Sequence, residues 1–315
     1  MSRILTITLN PAVDLATSIE RVVAGPKLYC KAPRVDPGGG GVNAARAIRR
    51  LGGEVTALVA VGGAMGEQLL QLLVAEDVLA VAVHVPGETR QSFAVTDETT
   101  GEQYRFSVPG ETMTAEDGAR LLSAIAQAAP RGGYVVLSGG VTPGLADDFP
   151  QQVLTAIAPR TGKLVVDTSK AALAHLLTAP GKPVHLLRLD QREAEQAAGH
   201  PLASFADSLA FAQKLIARGV AQIVVGGRGA EGSVLATGEQ RFFCRAPYVA
   251  VQSKIGAGDA FTGALTLALS RGAALDQALR WGVAAASATV GTEGTALFER
   301  GAVEALLPQC EVQAV

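Results

Sequence analysis

Short apolar runs alternate with segments of helical periodicity through most of this chain, and that alternation narrows the folds open to it. Val55–Val61 is followed by a helical pattern over Gly66–Asp77. Tyr134–Ser138 follows a helical Ala115–Ala129, and Leu164–Asp167, His185–Leu189 and Gln222–Gly226 repeat the theme. The first residues, through Leu9, read as one more strand. Strands separated by helices predict a mostly parallel sheet covered on both faces, with ligands at the carboxyl ends of the strands. Beyond Asp259 the pattern turns helical, over Asp259–Arg271, Leu275–Val290 and Gly301–Leu307.

Two stretches break the alternation. Residues of about 10–35 and 88–108 show polar and apolar positions in turn, and Gln91–Thr96 and Gln103–Val108 flank a turn at Thr99-Thr100-Gly101. They predict a small antiparallel sheet inserted into the α/β domain. A sheet with one apolar face and no helix to cover it closes over a ligand or finds a partner. The whole of 1–315 is expected to form one domain carrying this lid.

Composition excludes several classes. Apolar residues make up 48% of 315 and charged residues 18%, enough for a large core. A net charge of -2 lacks the basic excess of a nucleic-acid binder. No apolar run reaches the ~18 residues that span a bilayer, and the first residues lack a signal peptide's apolar core and cleavage site. Cys30, Cys244 and Cys310 are odd in number and widely spaced, which suits neither a metal cluster nor a disulfide framework. The expectation is a cytoplasmic protein bound to neither membrane nor nucleic acid.

Ile255-Gly256-Ala257-Gly258-Asp259 precedes an apolar helical run. The backbone N–H groups of Gly256, Ala257 and Gly258 then lie at a helix N-terminus, where unpaired donors and the dipole attract an anion. A carboxylate among them is either a helix cap or a base that takes a proton from an attacking hydroxyl. Gly38-Gly39-Gly40-Gly41 lets the backbone approach a ligand closely, and Asn43 then opens a helix with both a donor and an acceptor, as sugar hydroxyls require. Asp14, after Asn10-Pro11, is a turn former or a sugar ligand. Lys27, Arg90 and Arg105 lie on the inserted stretches, as solvated charges or as a phosphate clamp. Gly226–Gly232 is a glycine-rich turn after a strand, suited to a nucleotide or to a plain hairpin; it is not a Walker A loop. Asp190 and Glu193 could hold Mg²⁺ through waters or open a helix as acids complementing its dipole.

Together these segments resemble the PfkB (ribokinase-like) family of sugar kinases over about residues 3 to 307, and within it the 6-phosphofructokinase branch. Both family signatures are present, at Gly38–Arg46 and Gly256–Asp259. The resemblance implies a ribokinase-like three-layer α/β/α domain with a β-lid. It implies transfer of the ATP γ-phosphoryl to the 1-hydroxyl of fructose 6-phosphate, with Asp259 as base and Gly256, Ala257 and Gly258 as anion hole. Asp14, Gly38, Gly39 and Asn43 would hold the sugar, and Lys27, Arg90, Arg105 and Gly140 its phosphate end. Arg188, Gly227, Gly229 and Gly232 would line the nucleotide site, and Glu193 with Asp190 would belong to the Mg²⁺ network. Ser253, Ile255, Thr289, Thr292 and Gly294 match the segments that hold K⁺ in relatives. A homodimer through the lid is expected.

The chain departs from the family pattern at Asp190 (Asn in the family motif), Arg188-Leu189 (Lys-Pro), Gly140 (Ser) and Tyr29, where a basic residue is common. The same machinery would serve a kinase for fructose 1-phosphate or tagatose 6-phosphate. A catalytically silent sugar-phosphate or nucleotide sensor is the alternative of another class.

Overall fold

The structure, a computed structural model, describes residues 4–179 and 181–315. Along the chain run β1 (Ile4–Thr8), β2 (Ala12–Ile19), β3 (Arg34–Gly38), α1 (Gly40–Arg50), β4 (Thr56–Val61), α2 (Gly63–Ala75) and β5 (Leu79–His84). Then come β6 (Arg90–Asp97), β7 (Gln103–Ser107), α3 (Ala115–Ala128), β8 (Tyr134–Ser138), α4 (Phe149–Ile157), β9 (Leu164–Asp167) and α5 (Lys170–Thr178). β10 (Val184–Leu189), α6 (Gln191–Ala198), α7 (Phe205–Ala217), β11 (Ala221–Gly227), β12 (Gly232–Ala236) and β13 (Arg241–Arg245) follow. The chain closes with α8 (Ala257–Ser270), α9 (Leu275–Val290), α10 (Arg300–Leu306) and β14 (Glu311–Ala314).

Ten strands form the main sheet in the order β14-β13-β12-β11-β10-β9-β8-β1-β4-β5, parallel from β11 to β5. β1, β8 and β9 are buried at every position, as expected of strands covered on both faces. Successive residues feed opposite cores. Ile4 and Val59 join one with Val42 and Ile48 of α1 and Phe261 and Leu265 of α8. Leu5 and Leu58 join the other with Leu121 of α3, Val153 of α4 and Leu215 of α7. Each such side chain contributes about 1.5–3 kcal/mol through burial. This is the expected three-layer arrangement. The chain turns one way from β1 to β4 and the other way to β8, so the strand order reverses between β1 and β8. That switch point is where an open α/β sheet leaves a crevice.

β12, β13 and β14 extend the sheet antiparallel, which the sequence reading, helical beyond Asp259, did not anticipate for the last residues. Helix α2 begins at Gly63, three residues before the expected start.

Four strands form the second sheet, in the order β3-β2-β6-β7. β2–β3 and β6–β7 are antiparallel as expected, but the central pair β2–β6 runs parallel, Ala12 opposite Arg90 through Ile19 opposite Asp97. Residues 20–33 between β2 and β3 are irregular rather than strand, and they include Gly25, Pro26 and Pro33. Pro lacks the N–H a ladder needs, which ends the pairing there. One face of this sheet exposes Phe93 (41%) and Phe106 (58%). Its other contacts include a small cluster of Ala16, Ala94 and Ile255, where lid strands meet the segment before α8. Among the described residues no helix is long and apolar enough to cross a membrane.

Candidate active site

The crevice at the switch point is built from glycines because backbones cross there. A Cβ on Gly38 would stand 2.1 Å from Asp14 Oδ2, and one on Gly40 would stand 2.4 Å from Ser138 Oγ. Any side chain at either position would displace a site residue. Gly39, with φ +110°, caps α1. Asn43 falls in the first turn of α1, and its Nδ2 donates to Asp259 Oδ2 at 3.0 Å. Ser138, at the end of β8, reaches Asp259 Oδ1 at 3.5 Å.

Gly256, in the left-handed region at φ +75°, caps α8, and Ala257, Gly258 and Asp259 form its first turn. Their N–H groups have no partner within the helix. Burial raises the Asp259 carboxyl to about 6, Asp167 adds to the rise, and Asn43 and Arg188 oppose it. Asp14 on β2 is likewise raised to about 6 by burial, against the lowering pull of Arg90 and Arg46. The crevice therefore holds two carboxyls that are charged at neutral pH and readily protonated below it.

Arg188 at the end of β10 lies against the anion-hole backbone, for a Cβ on Gly258 would meet its Nη1 at 2.8 Å. Nη1 also contacts Asp167 Oδ1 at 3.3 Å, and Thr262 Oγ1 donates to Asp167 Oδ2 at 2.9 Å. The Arg188 Nε is a buried donor with no hydrogen-bond partner among the described residues. Asp190 and Glu193 form a reciprocal cap on α6. Asp190 Oδ1 accepts from the Glu193 N–H at 2.7 Å, and Glu193 Oε2 accepts from the Asp190 N–H at 2.9 Å. The helix-opening alternative thus describes half of each carboxylate, leaving one oxygen of each outside the cap. Burial raises the Glu193 carboxyl, and Asp190 and Asp167 raise it further against the Asp190 N–H and Arg188.

The glycine-rich turn is a hairpin. β11 and β12 pair antiparallel, with Gly227 opposite Ser233. Gly227 borders the Arg188 guanidinium, 3.6 Å from where its Cβ would be, and Gly229 is exposed in the turn. Gly232 has a packing reason to be glycine: at φ +125° its Cβ would fall 1.9 Å from the Cys244 carbonyl oxygen. It is buried and pairs with Arg245 of β13.

Of the three lid cations, Arg90 is tied to the crevice. Its Nε donates to Asn10 Oδ1 at 3.1 Å, its Nη1 to Ser107 Oγ at 2.7 Å, and it acts on Asp14 electrostatically. Lys27 lies in the irregular segment and Arg105 on β7, both exposed. Gly140 is exposed, with open space where a side chain would stand. The segments around Ser253, Ile255, Thr289, Thr292 and Gly294 do come together. Ser253 Oγ donates to the Gly294 carbonyl at 2.7 Å, the Ile255 N–H donates to Ser253 Oγ, and Thr292 Oγ1 donates to the Thr289 carbonyl. The Thr289 hydroxyl turns back onto its own helix at Ala285.

Asp167, Ser138, Thr262 and Arg46 escaped the sequence reading as site residues. An acid ending a parallel strand was the available signal for Asp167. A cleft of about 460 Å³, lined in part by Arg131, Tyr134, Lys163 and Arg271, opens at the amino ends of β8 and β9, away from the crevice, and holds none of the expected site residues.

The pfkB family carbohydrate kinase profile matches residues 7–300. ATP-dependent 6-phosphofructokinase isozyme 2 of Mycobacterium tuberculosis is 40% identical over 303 residues, 96% of this chain and 88% of the relative. The protein of the same name from Escherichia coli is 37% identical over 297 residues, covering 94% and 95%. The crystal structure of E. coli phosphofructokinase-2 in complex with potassium superposes with a TM-score of 0.91 at 35% identity, covering 98% of this chain and 99% of that one. With both signature loops meeting at one crevice, the chain belongs to the pfkB family of carbohydrate kinases.

Proposed function

We propose that this protein transfers the γ-phosphoryl group of ATP to the 1-hydroxyl of fructose 6-phosphate, giving fructose 1,6-bisphosphate and ADP. The observation that carries this reading is Asp259, a carboxylate in the first turn of α8, held by Asn43 and bordered by N–H donors. Asp259 takes the proton of the sugar hydroxyl. The hydroxyl oxygen bonds to the γ-phosphorus as the bond to the β-phosphate oxygen breaks. The N–H groups at the α8 N-terminus meet the charge on the transferring group, and Arg188, with its unpaired Nε, supplies a cation beside them. A base at about 6 is ionised at neutral pH yet still basic enough to share a proton.

Asp14 and Asn43 hold sugar hydroxyls, and Arg90, Lys27 and Arg105 face the 6-phosphate when the lid closes and excludes water. Gly227 and Gly229 border the nucleotide. A divalent ion, Mg²⁺ with ATP, fits the Glu193 and Asp190 oxygens left outside the α6 cap, because Asp167, Asp190 and Glu193 repel one another. Bound there, it would neutralise phosphate charge. K⁺ would be held by oxygens of the segments around Ser253, Ile255, Thr289, Thr292 and Gly294, which the Ser253–Gly294 hydrogen bond draws together. The chain acts as one kinase unit, and the exposed Phe93 and Phe106 support a homodimer through the lid. A single monomeric mass by light scattering at micromolar concentration would refute the dimer.

The test is ADP release with ATP, Mg²⁺ and K⁺, comparing fructose 6-phosphate, fructose 1-phosphate, tagatose 6-phosphate and fructose. Preference for fructose 6-phosphate is expected. Preference for another phosphosugar would move the phosphate clamp, and no turnover with any would favour a sensor.

A further inference from the structure

Asn43 and Arg46 stand one turn apart on α1, on one face of the helix. The Arg46 side chain is fully buried, at 0% exposure. Its Nη1 donates to Asn43 Oδ1 at 3.2 Å and to the Pro37 carbonyl at 3.3 Å. Its Nη2 donates to Asp36 Oδ1 at 3.2 Å and to Glu76 Oε1 at 2.7 Å. A guanidinium has donors only, so whatever amide atom faces it must be oxygen. The nitrogen of the same amide is then turned the other way, toward Asp259 at 3.0 Å.

We infer that Arg46 is a positioning residue: it fixes the Asn43 amide so that Nδ2, and not the oxygen, faces the Asp259 carboxylate. The inference rests on the assignment of Asp259 as base. Arg46 is itself held from three elements. Asp36 lies on lid strand β3, where it also accepts from Arg34 Nε and Thr295 Oγ1, each at 2.6 Å. Glu76 follows α2 and is shared with Arg50 at 3.0 Å. Burial alone would raise the Glu76 carboxyl, but the hydrogen bonds and charges of Arg46 and Arg50 outweigh it and hold it below its ordinary range. A guanidinium stays charged when buried, so its burial is tolerated only where carboxylates and carbonyls pair it in this way.

Without Arg46 the amide can turn over and present its oxygen to the carboxylate. The groups that act on Asp259 are Asp14 from β2, Asn43 from α1, Ser138 from β8, Asp167 from β9 and Arg188 from β10. Arg46 is not among them; it reaches Asp259 through the Asn43 amide and, by its charge, through Asp14, and a substitution that keeps the charge isolates the first route.

Arg46→Lys keeps the buried charge but replaces the two-sided fork with a single ammonium. The Asp259 carboxyl is followed by ¹³C NMR titration of aspartate-labelled protein, alongside kinetics for fructose 6-phosphate. The expected result is a midpoint raised by about half a unit or more over wild type, with a higher sugar KM. Asp36→Asn, which weakens the second anchor, is expected to move the midpoint in the same direction by less. Leu121→Ala, a cavity in the opposite core, is expected to lower Tm and leave the midpoint in place. Should Arg46→Lys fail to fold, Asp36→Asn decides, read against the Asp14 midpoint in the same spectra because Asp36 also acts on Asp14: a rise at Asp259 that only tracks a change at Asp14 counts against the inference. A wild-type midpoint in either folded variant, or an equal rise in Leu121→Ala, overturns the inference. The titration needs no turnover, so its failure leaves the kinase reading standing, and an inactive wild type leaves the titration readable.

Discussion

The Arg188 guanidinium lies against the backbone of Gly258, so close that a methyl group there would meet Nη1 at 2.8 Å and Nη2 at 2.9 Å. The anion hole and its neighbouring cation thus share one contact that only glycine permits. Gly258→Ala is expected to push the guanidinium aside and leave the fold intact, since the far end of a side chain can move. Misplacement on this scale costs ~10²-fold in rate. The check is kcat beside an unchanged far-ultraviolet spectrum; wild-type kcat would contradict a role for Arg188 at the transferring group.

Asp259→Asn separates activity from stability. Turnover should fall ~10²–10⁴-fold with loss of the base. Stability at neutral pH should rise, because the folded protein keeps this carboxylate charged against burial. The rise of its carboxyl from 3.8 to about 6 corresponds to roughly 3 kcal/mol at most. Urea unfolding at pH 7.5 beside single-turnover kinetics reads both quantities.

The pH dependence follows with a definite sign. In the folded state Asp14 and Asp259 bind protons up to about pH 6, whereas unfolded aspartate releases them near 3.8. Between those values the folded state holds more protons, so the contribution of these two groups to stability falls as pH rises and is level above about 6. Activity runs the other way: kcat/KM for the sugar, which reports the free enzyme, should climb with pH through about 6 as the base ionises. A flat kcat/KM between pH 5 and 7 would contradict the base assignment.

Gly140→Ser should be tolerated, since nothing lies within 4 Å of where its Cβ would stand. Unfolding free energy should stay within the range of a neutral surface change, about ±0.5 kcal/mol. The added hydroxyl should lower the KM for fructose 6-phosphate and leave that for ATP in place. A raised KM for the sugar would place the phosphate elsewhere.

The anion hole was legible because its parts are neighbours: Gly256 through Asp259 are consecutive, and their chemistry follows from one helix start. Asn43 was legible for the same reason. Asp167 was not, because its meaning depends on Thr262, 95 residues away, and on Arg188 from the next strand. Arg46 read as one more helix residue, since its role comes from Asp36 and Glu76. The parallel β2–β6 pair was hidden because alternating side chains look alike in either strand direction. Gly232 shows the limit of the letter alone, because a glycine demanded by the Cys244 carbonyl is written like one demanded by a ligand.

The parallel pairing at the centre of the lid also bears on how the molecule is made. Arg90 meets Asn10 across 80 residues of chain, and the strands that pair there flank β1's partner β4, with α1 and α2 between them. Closing so long a loop carries an entropy cost, and both of its ends must exist before the pairing can form. The lid therefore cannot form until the chain through β6 has been made, and with Phe93 and Phe106 exposed it is expected to exchange its amide hydrogens before β1, β8 and β9, which are buried at every position.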